Sequence, residues 1–116
     1  MSIAMNLHDI VREVALQQAS ATESPFLDKW HAFTIKRKWF ALMGTLNGKQ
    51  IMNVKVDPFE GELLRQQYPG ITPGYHMNKK HWVTITEGQG VPEELISELV
   101  VDSYRLVAGP VRKAGQ

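Results

Sequence analysis

Along the first segment the apolar positions Leu7, Ile10, Val11, Val14 and Ala15 fall at i, i+3, i+4, i+7 and i+8. A single stripe at that spacing predicts an amphipathic helix. Asn6 suits its N-cap, and Asp9 places negative charge in the first turn, where the helix dipole favours it. The helix should fade near Gln18. Ser20 to Pro25 is small and polar and ends in a residue that cannot continue a helix.

From Trp30 to Val56 the period changes to two residues. Ala32 to Ile35 and Trp39 to Met43 read as strands, the second mostly buried, with Lys36-Arg37-Lys38 as the turn between them. Asn47-Gly48 supplies the positive φ of a two-residue hairpin turn. Ile51 to Val56 then alternates, with Met52, Val54 and Val56 on one face and Asn53 and Lys55 on the other. The expectation is a three-stranded antiparallel meander.

Asp57-Pro58-Phe59-Glu60 opens a helix: Asp57 can cap, proline suits the first helical position, and Glu60 can complete a capping box. Phe59, Leu63 and Leu64 are expected on its buried face, and Tyr68-Pro69-Gly70 stops it. Ile71 to Lys80 reads as an ordered loop or a short edge strand, and His81 to Thr86 as a further strand by its β-branched and aromatic content. After the Gly88-Gln89-Gly90 turn, Pro92-Glu93-Glu94 opens a last helix, with Leu95, Ile96, Leu99, Val100, Ser103, Leu106 and Val107 inward and Gly109-Pro110 as its end. Grouped strands with segregated helices imply an α+β fold, an antiparallel sheet with helices packed on one face.

The chain has 116 residues, 43% of them hydrophobic and 22% charged. That is one globular domain, 1–116, with loosely ordered ends expected at 1–5 and 110–116. No apolar run approaches the ~20 residues of a membrane span, so no membrane partner is expected. The opening Met1 to Asn6 lacks the layout of a secretory signal, so a cytoplasmic location is expected. The absence of cysteine removes thiolate zinc sites and cysteine nucleophiles. With a formal net charge of +1, overall basicity carries no argument; the placement of charge does.

Two basic segments stand out. Pro73 to Trp82 holds His76, Asn78, Lys79, Lys80, His81 and Trp82 together with Tyr75, a set able to meet phosphate, hydrogen-bond a base or sugar and stack on a ring. The competing reading makes Trp82 a core anchor and the lysines a soluble turn. Lys36, Arg37 and Lys38, with Lys29 and Lys49, make Lys29 to Lys49 a stretch with five cations and no anion. Antiparallel topology would put Lys36-Lys38 and Lys49 at opposite ends of neighbouring strands, and a solvated hairpin tip is the alternative. Lys55, mid-strand beside Asn53, either snorkels or offers a cation to a ligand on the open face.

Enzymatic patterns are lacking. His76 and His81 do not have the i, i+4 spacing of a zinc helix, and neither a nucleophile-elbow serine motif nor a phosphate-cradling glycine loop occurs. No metal or other cofactor is expected. Glu94, Glu98 and Asp102 form a carboxylate stripe that reads as the solvated side of the last helix. With acid gathered on helices and base on strands and loops, the molecule should be dipolar.

Lys55-Val56-Asp57-Pro58, Leu63-Leu64-Arg65 and the run from Tyr68 to Trp82, ending in His76-Met77-Asn78-Lys79-Lys80-His81-Trp82, resemble the MmcQ/YjbR-like family of small bacterial proteins. The likeness extends from Trp30 to Leu106. It implies a CyaY-like fold of the double-wing, DNA-binding kind, and Lys55, His76, Asn78, Lys79, His81 and Trp82 match the family's motif. Frataxins carry a dense acidic ridge on the first helix; here that helix offers only Asp9 and Glu13, so an iron role is not implied. The reading is a non-enzymatic DNA-binding protein, a monomer, whose candidate contacts are Lys36, Arg37, Lys38, Lys55, His76, Asn78, Lys79, Lys80, His81 and Trp82. The alternative is a small-molecule or protein-binding module in which the histidine- and lysine-rich motif is mainly structural.

Overall fold

The computed structural model describes residues 5–109; of the ends expected to be loose, 1–5 and 110–116, all but Met5 lie outside the described residues. Its elements run α1 (Leu7–Gln17), β1 (Thr22–Phe26), β2 (Trp30–Ile35), β3 (Lys38–Leu46), β4 (Lys49–Lys55), α2 (Pro58–Gln67), β5 (Ile71–Pro73), β6 (Trp82–Thr86) and α3 (Glu93–Ala108). One six-stranded antiparallel sheet has the order β1-β2-β3-β4-β6-β5. The fold is α+β, as the grouping of strands and helices predicts. Among the described residues no helix is long and apolar enough to cross a membrane.

The meander is thus the centre of a larger sheet. Thr22–Phe26, which overlaps the small, polar Ser20 to Pro25 stretch read only as the end of the first helix, is an edge strand paired to β2, with Thr22 opposite Thr34 and Phe26 opposite Trp30. Its sequence carries no apolar alternation because its residues are exposed or half-buried. Pro25 is tolerated because an edge strand needs only one ladder of hydrogen bonds. At the far edge Ile71–Pro73 takes the strand alternative and pairs with β6.

In helix α1, Asn6 is the N-cap that the sequence predicts, and Asp9 goes further by closing a capping box: Asn6 Oδ1 accepts from the Asp9 N–H at 2.8 Å and Asp9 Oδ2 accepts from the Asn6 N–H at 3.3 Å. The helix's stripe buries Leu7, Ile10, Val11 and Ala15 against Met43, Met52, Val54, Val83 and Ile85 of the sheet and Ile96, Leu99 and Val100 of α3. Burying each large aliphatic side chain contributes about 1.5–3 kcal/mol. His8 ties the helix to the sheet, its Nε2 lying 2.8 Å from the Gly44 carbonyl and 3.1 Å from that of Ile51.

Two expectations about helix faces are corrected. Phe59 and Leu63 are 69% and 48% exposed, and Leu64 only half-buried; the buried residue of α2 is Gly61, where a Cβ would come within 2.8 Å of Val56. The short helix lies flat against the sheet margin, so close approach at Gly61 replaces a side-chain stripe. Asp57 caps it by accepting from the Phe59 and Glu60 N–H groups, and Glu60 does not complete a capping box. Leu106, expected inward on α3, is 49% exposed, because the last turn of that helix runs past the end of the sheet onto the margin of a cleft.

The two central hairpins turn through paired residues of positive φ. Lys36 and Arg37 adopt 53° and 67°, and Asn47 and Gly48 adopt 52° and 79°. Both match the type I′ geometry whose twist suits antiparallel strands. Between β2 and β3 the register slips: Phe33 pairs with Ala41 and Thr34 with Trp39, leaving Phe40 as the extra residue of a bulge. Phe40 is fully buried with its ring edge-on to Tyr104, whereas Trp39 turns to the opposite face and stays 37% exposed.

Candidate functional site

The face of the sheet opposite the helices is neither bare nor uniformly polar. Asn53 and Thr84 lie opposite each other on β4 and β6 and are both buried. Thr84 Oγ1 donates to Asn53 Oδ1 at 2.6 Å and accepts from the Tyr75 N–H at 2.7 Å; Asn53 Nδ2 donates to the Tyr75 carbonyl at 3.1 Å. These bonds fasten the 74–81 loop onto the sheet and satisfy a polar pair that would be costly to bury alone. Within the loop, Asn78 Oδ1 accepts from the Lys80 and His81 N–H groups, and Lys79 Nζ donates to the Gly74 carbonyl at 2.8 Å. Gly74 leaves no room for a side chain: a Cβ there would meet the Trp82 Cβ at 2.7 Å.

Two residues along the same two strands, Lys55 is directly opposite Trp82. Both border a cleft of about 420 Å³ that is also lined by Arg37, Lys38, Trp39, Leu106 and Val107. It forms where β3 begins, β4 ends and β6 begins, so antiparallel pairing brings together residues up to 45 positions apart in sequence. The Lys55 N–H, at the end of the β4 ladder, donates to Ser103 Oγ at 2.8 Å, and Ser103 Oγ donates to the Phe40 carbonyl. One α3 hydroxyl thereby holds both strands that frame the cleft.

The cleft is electropositive. Among the described residues the ion pairs are Arg12–Glu23 at 2.9 Å and the His31–Glu23 contact at 2.8 Å. Arg37, Lys38 and Lys55 have no acidic partner within that set. Beside the Arg12 guanidinium, which donates twice to it and has its own pKa raised in return, the Glu23 carboxyl is held below the usual carboxylate range. His31 adds to this by charge more than by hydrogen bonding, since Nδ1 is close to the carboxylate without being aligned for a bond. This pair locks α1 to β1, away from the cleft.

Of the ten residues singled out by sequence, Arg37, Lys38, Lys55 and Trp82 share the cleft. Lys36, their neighbour in the turn, reaches Ala108 at the C-terminus of α3, where its Nζ donates to the carbonyl at 3.3 Å. That is the end of a helix where a cation is favoured. Asn78 and Lys79 are engaged inside the loop, Lys80 is exposed, and the His81 carbonyl accepts from the Val56 N–H. His76 stands apart from these, exposed, at φ 58°, with its ring 4.0 Å from that of Tyr75. Lys49 pairs with Leu46 at the other end of the sheet, as antiparallel topology requires.

Trp39 was not legible as a site residue, because Trp39 to Met43 reads as a buried strand; only the bulge at Phe40 turns its indole outward. Trp30 was likewise unmarked. It lies across Gly44 so closely that a Cβ there would come within 2.3 Å of the indole, and its ring is stacked with Tyr75 at 6.3 Å and 15°. The carboxylate row Glu94, Glu98 and Asp102 is exposed on α3. Among the described residues no group of three or more metal-ligating side chains converges.

The family model described as YjbR matches residues 15–106, which includes every residue lining the cleft except Val107. The chain belongs to the YjbR family. YjbR-family relatives include the uncharacterized protein YbdF of Escherichia coli O157:H7, 38% identical over 112 residues that cover 96% of this chain and 92% of that one. The uncharacterized protein YjbR of Escherichia coli K12 is 35% identical over 78 residues, 66% of each chain. Among solved structures, the Deinococcus radiodurans protein DR2400, described by the family-model domain DUF419, superposes with a TM-score of 0.83 at 38% identity, covering 98% of this chain and 87% of that one. A Pseudomonas syringae protein superposes at 0.73 with 26% identity, covering 89% and 99%. The likeness to the Deinococcus protein thus extends over nearly the whole chain, and the family match itself over residues 15–106.

Proposed function

We propose that this YjbR-family protein is a non-enzymatic DNA-binding protein, a single-domain monomer whose phosphate contacts are made in the cleft between the β2–β3 turn and the ends of β4 and β6. The observation that carries the reading is the convergence of Arg37, Lys38 and Lys55, none with an acidic partner among the described residues, beside the indoles of Trp39 and Trp82. Cations without counter-charges are held near one another only at a cost in mutual repulsion, and an anionic backbone relieves it. Guanidinium and ammonium groups then position the phosphates while the indoles offer π faces to bases.

The hydrogen bonds inside the 74–81 loop favour a structural role for part of the motif. Asn78 and Lys79 shape the loop, and Trp82 and Lys55 carry the contacts. DNA affinity should fall linearly in log-log form with salt, and Lys38→Ala or Lys55→Ala should each reduce that slope by about one. Lys49→Ala, at the opposite end of the sheet, is the control and should leave it unchanged. Undiminished affinity in the Lys38→Ala/Lys55→Ala double variant overturns the reading.

A further inference from the structure

Next to the basic cleft, on the far side of Trp39, is a second cavity of about 250 Å³. It opens between the tip of the β1–β2 hairpin and the 74–81 loop, on the sheet face opposite the helices. We propose that it receives one unstacked nucleobase, so that the DNA taken by this protein is single-stranded. The inference rests on the phosphate role of the cleft, because it uses the cleft as the place where the adjoining backbone lies.

The wall chemistry selects a planar ring. Trp30, Tyr75, Trp39, Phe26 and Met77 supply most of the lining, so a polar or charged occupant would lose its hydration without replacement. The Trp30 and Tyr75 planes lie within 15° of each other, and neither side chain is loosely held. Trp30 is seated on Gly44, and the Tyr75 main chain is bonded on both sides, to Thr84 and Asn53. Such preorganisation lowers the entropy lost on binding. The size is also selective. Sites for drug-sized metabolites occupy about 300–1,000 Å³, so a 250 Å³ cavity suits one ring system better than a larger ligand.

Asn53 adds a polar element at the base of this apolar cavity. Its amide spends one N–H on the Tyr75 carbonyl and one oxygen lone pair on Thr84. A primary amide has a second of each, the donor–acceptor pair that matches a base edge.

Continuity decides what the ring is attached to. Trp39 borders both cavities, with Arg37, Lys38 and Lys55 on its other side. A nucleotide within a strand places an apolar ring and an anionic phosphate in that relation. In a duplex the base would first have to leave its stack and its partner, a cost that a single strand avoids.

The test compares three probes on the full chain at one low salt concentration. They are a 10-nucleotide deoxyadenylate strand, an abasic strand of the same length, and a duplex of the same length. The base-bearing strand should bind more tightly than the abasic one by on the order of 5- to 150-fold, the range for stacking one base on aromatic side chains. It should also bind more tightly than the duplex. Tyr75→Leu, which keeps apolar bulk but removes the ring face, should lower the affinity of the base-bearing strand towards the abasic level and leave abasic affinity unaltered. Equal affinity of the unaltered chain for base-bearing and abasic strands overturns the inference while the phosphate reading stands. A duplex bound as tightly as the single strand does the same. Absence of binding to all three probes overturns both.

Discussion

The Ser103 hydroxyl accepts the Lys55 N–H at 2.8 Å, tying the last helix to the end of the strand from which the cleft lysine projects. The same hydroxyl donates to the carbonyl of Phe40, the bulge residue of the neighbouring strand. A serine on the inward face of a helix is therefore a fastener between α3 and two strands, and it is fully buried.

Ser103→Ala removes the partner of a buried carbonyl and of a part-buried N–H. Each unsatisfied group costs about 1–3 kcal/mol. We expect a loss of stability on the order of 2 kcal/mol or more, read by urea denaturation. A change within 0.5 kcal/mol of zero would show that water or a local shift replaces the hydroxyl.

Arg37 occupies a position, φ 67°, that glycine adopts without steric cost and other residues do not. Arg37→Gly should therefore preserve or raise stability, by up to about 1 kcal/mol, while weakening DNA binding at low salt. Opposite signs in thermal unfolding and in binding are the expected result. Loss of stability without loss of affinity contradicts the assignment of Arg37 to the cleft.

The Glu23 carboxyl is held below its ordinary value of 4.5, chiefly by hydrogen bonds from Arg12 and then by charge from Arg12 and His31. A depressed carboxyl stabilises the fold above its unfolded value and loses that contribution as pH falls through the folded value. Glu23→Gln should accordingly destabilise at pH 6, and the difference from the unaltered chain should shrink as pH falls below about 4.5. Because Arg12 is 43% exposed, the effect is at most about 1 kcal/mol. Denaturation curves between pH 3 and 6 measure it. A gap that widens on acidification contradicts the sign.

Much of the fold is legible residue by residue. The 3.6-residue period of Leu7 to Ala15, the Asn6 cap, the Asn47-Gly48 turn and the alternation of Met52, Val54 and Val56 each depend on neighbours in sequence. Local geometry settles them. The edge strand at Thr22 and the exposed Phe59 were not legible for the opposite reason. A strand exposed on its flanks needs no apolar alternation, and a short helix can be seated by close approach at Gly61 with Leu64 as its one leucine packed against the core.

The sequence by itself determined the composition of the site: the cations at 36 to 38, the lysine at 55 and the tryptophan at 82. Only the tertiary structure decided which of them meet. Antiparallel pairing puts Lys55 opposite Trp82 and beside the start of β3, while the α3 C-terminus draws Lys36 away and the loop's own hydrogen bonds occupy Asn78 and Lys79. The bulge at Phe40 sends Trp39 outward. These outcomes depend on register between strands and on competition among distant hydrogen-bond partners, and neither is written in any local window of the chain.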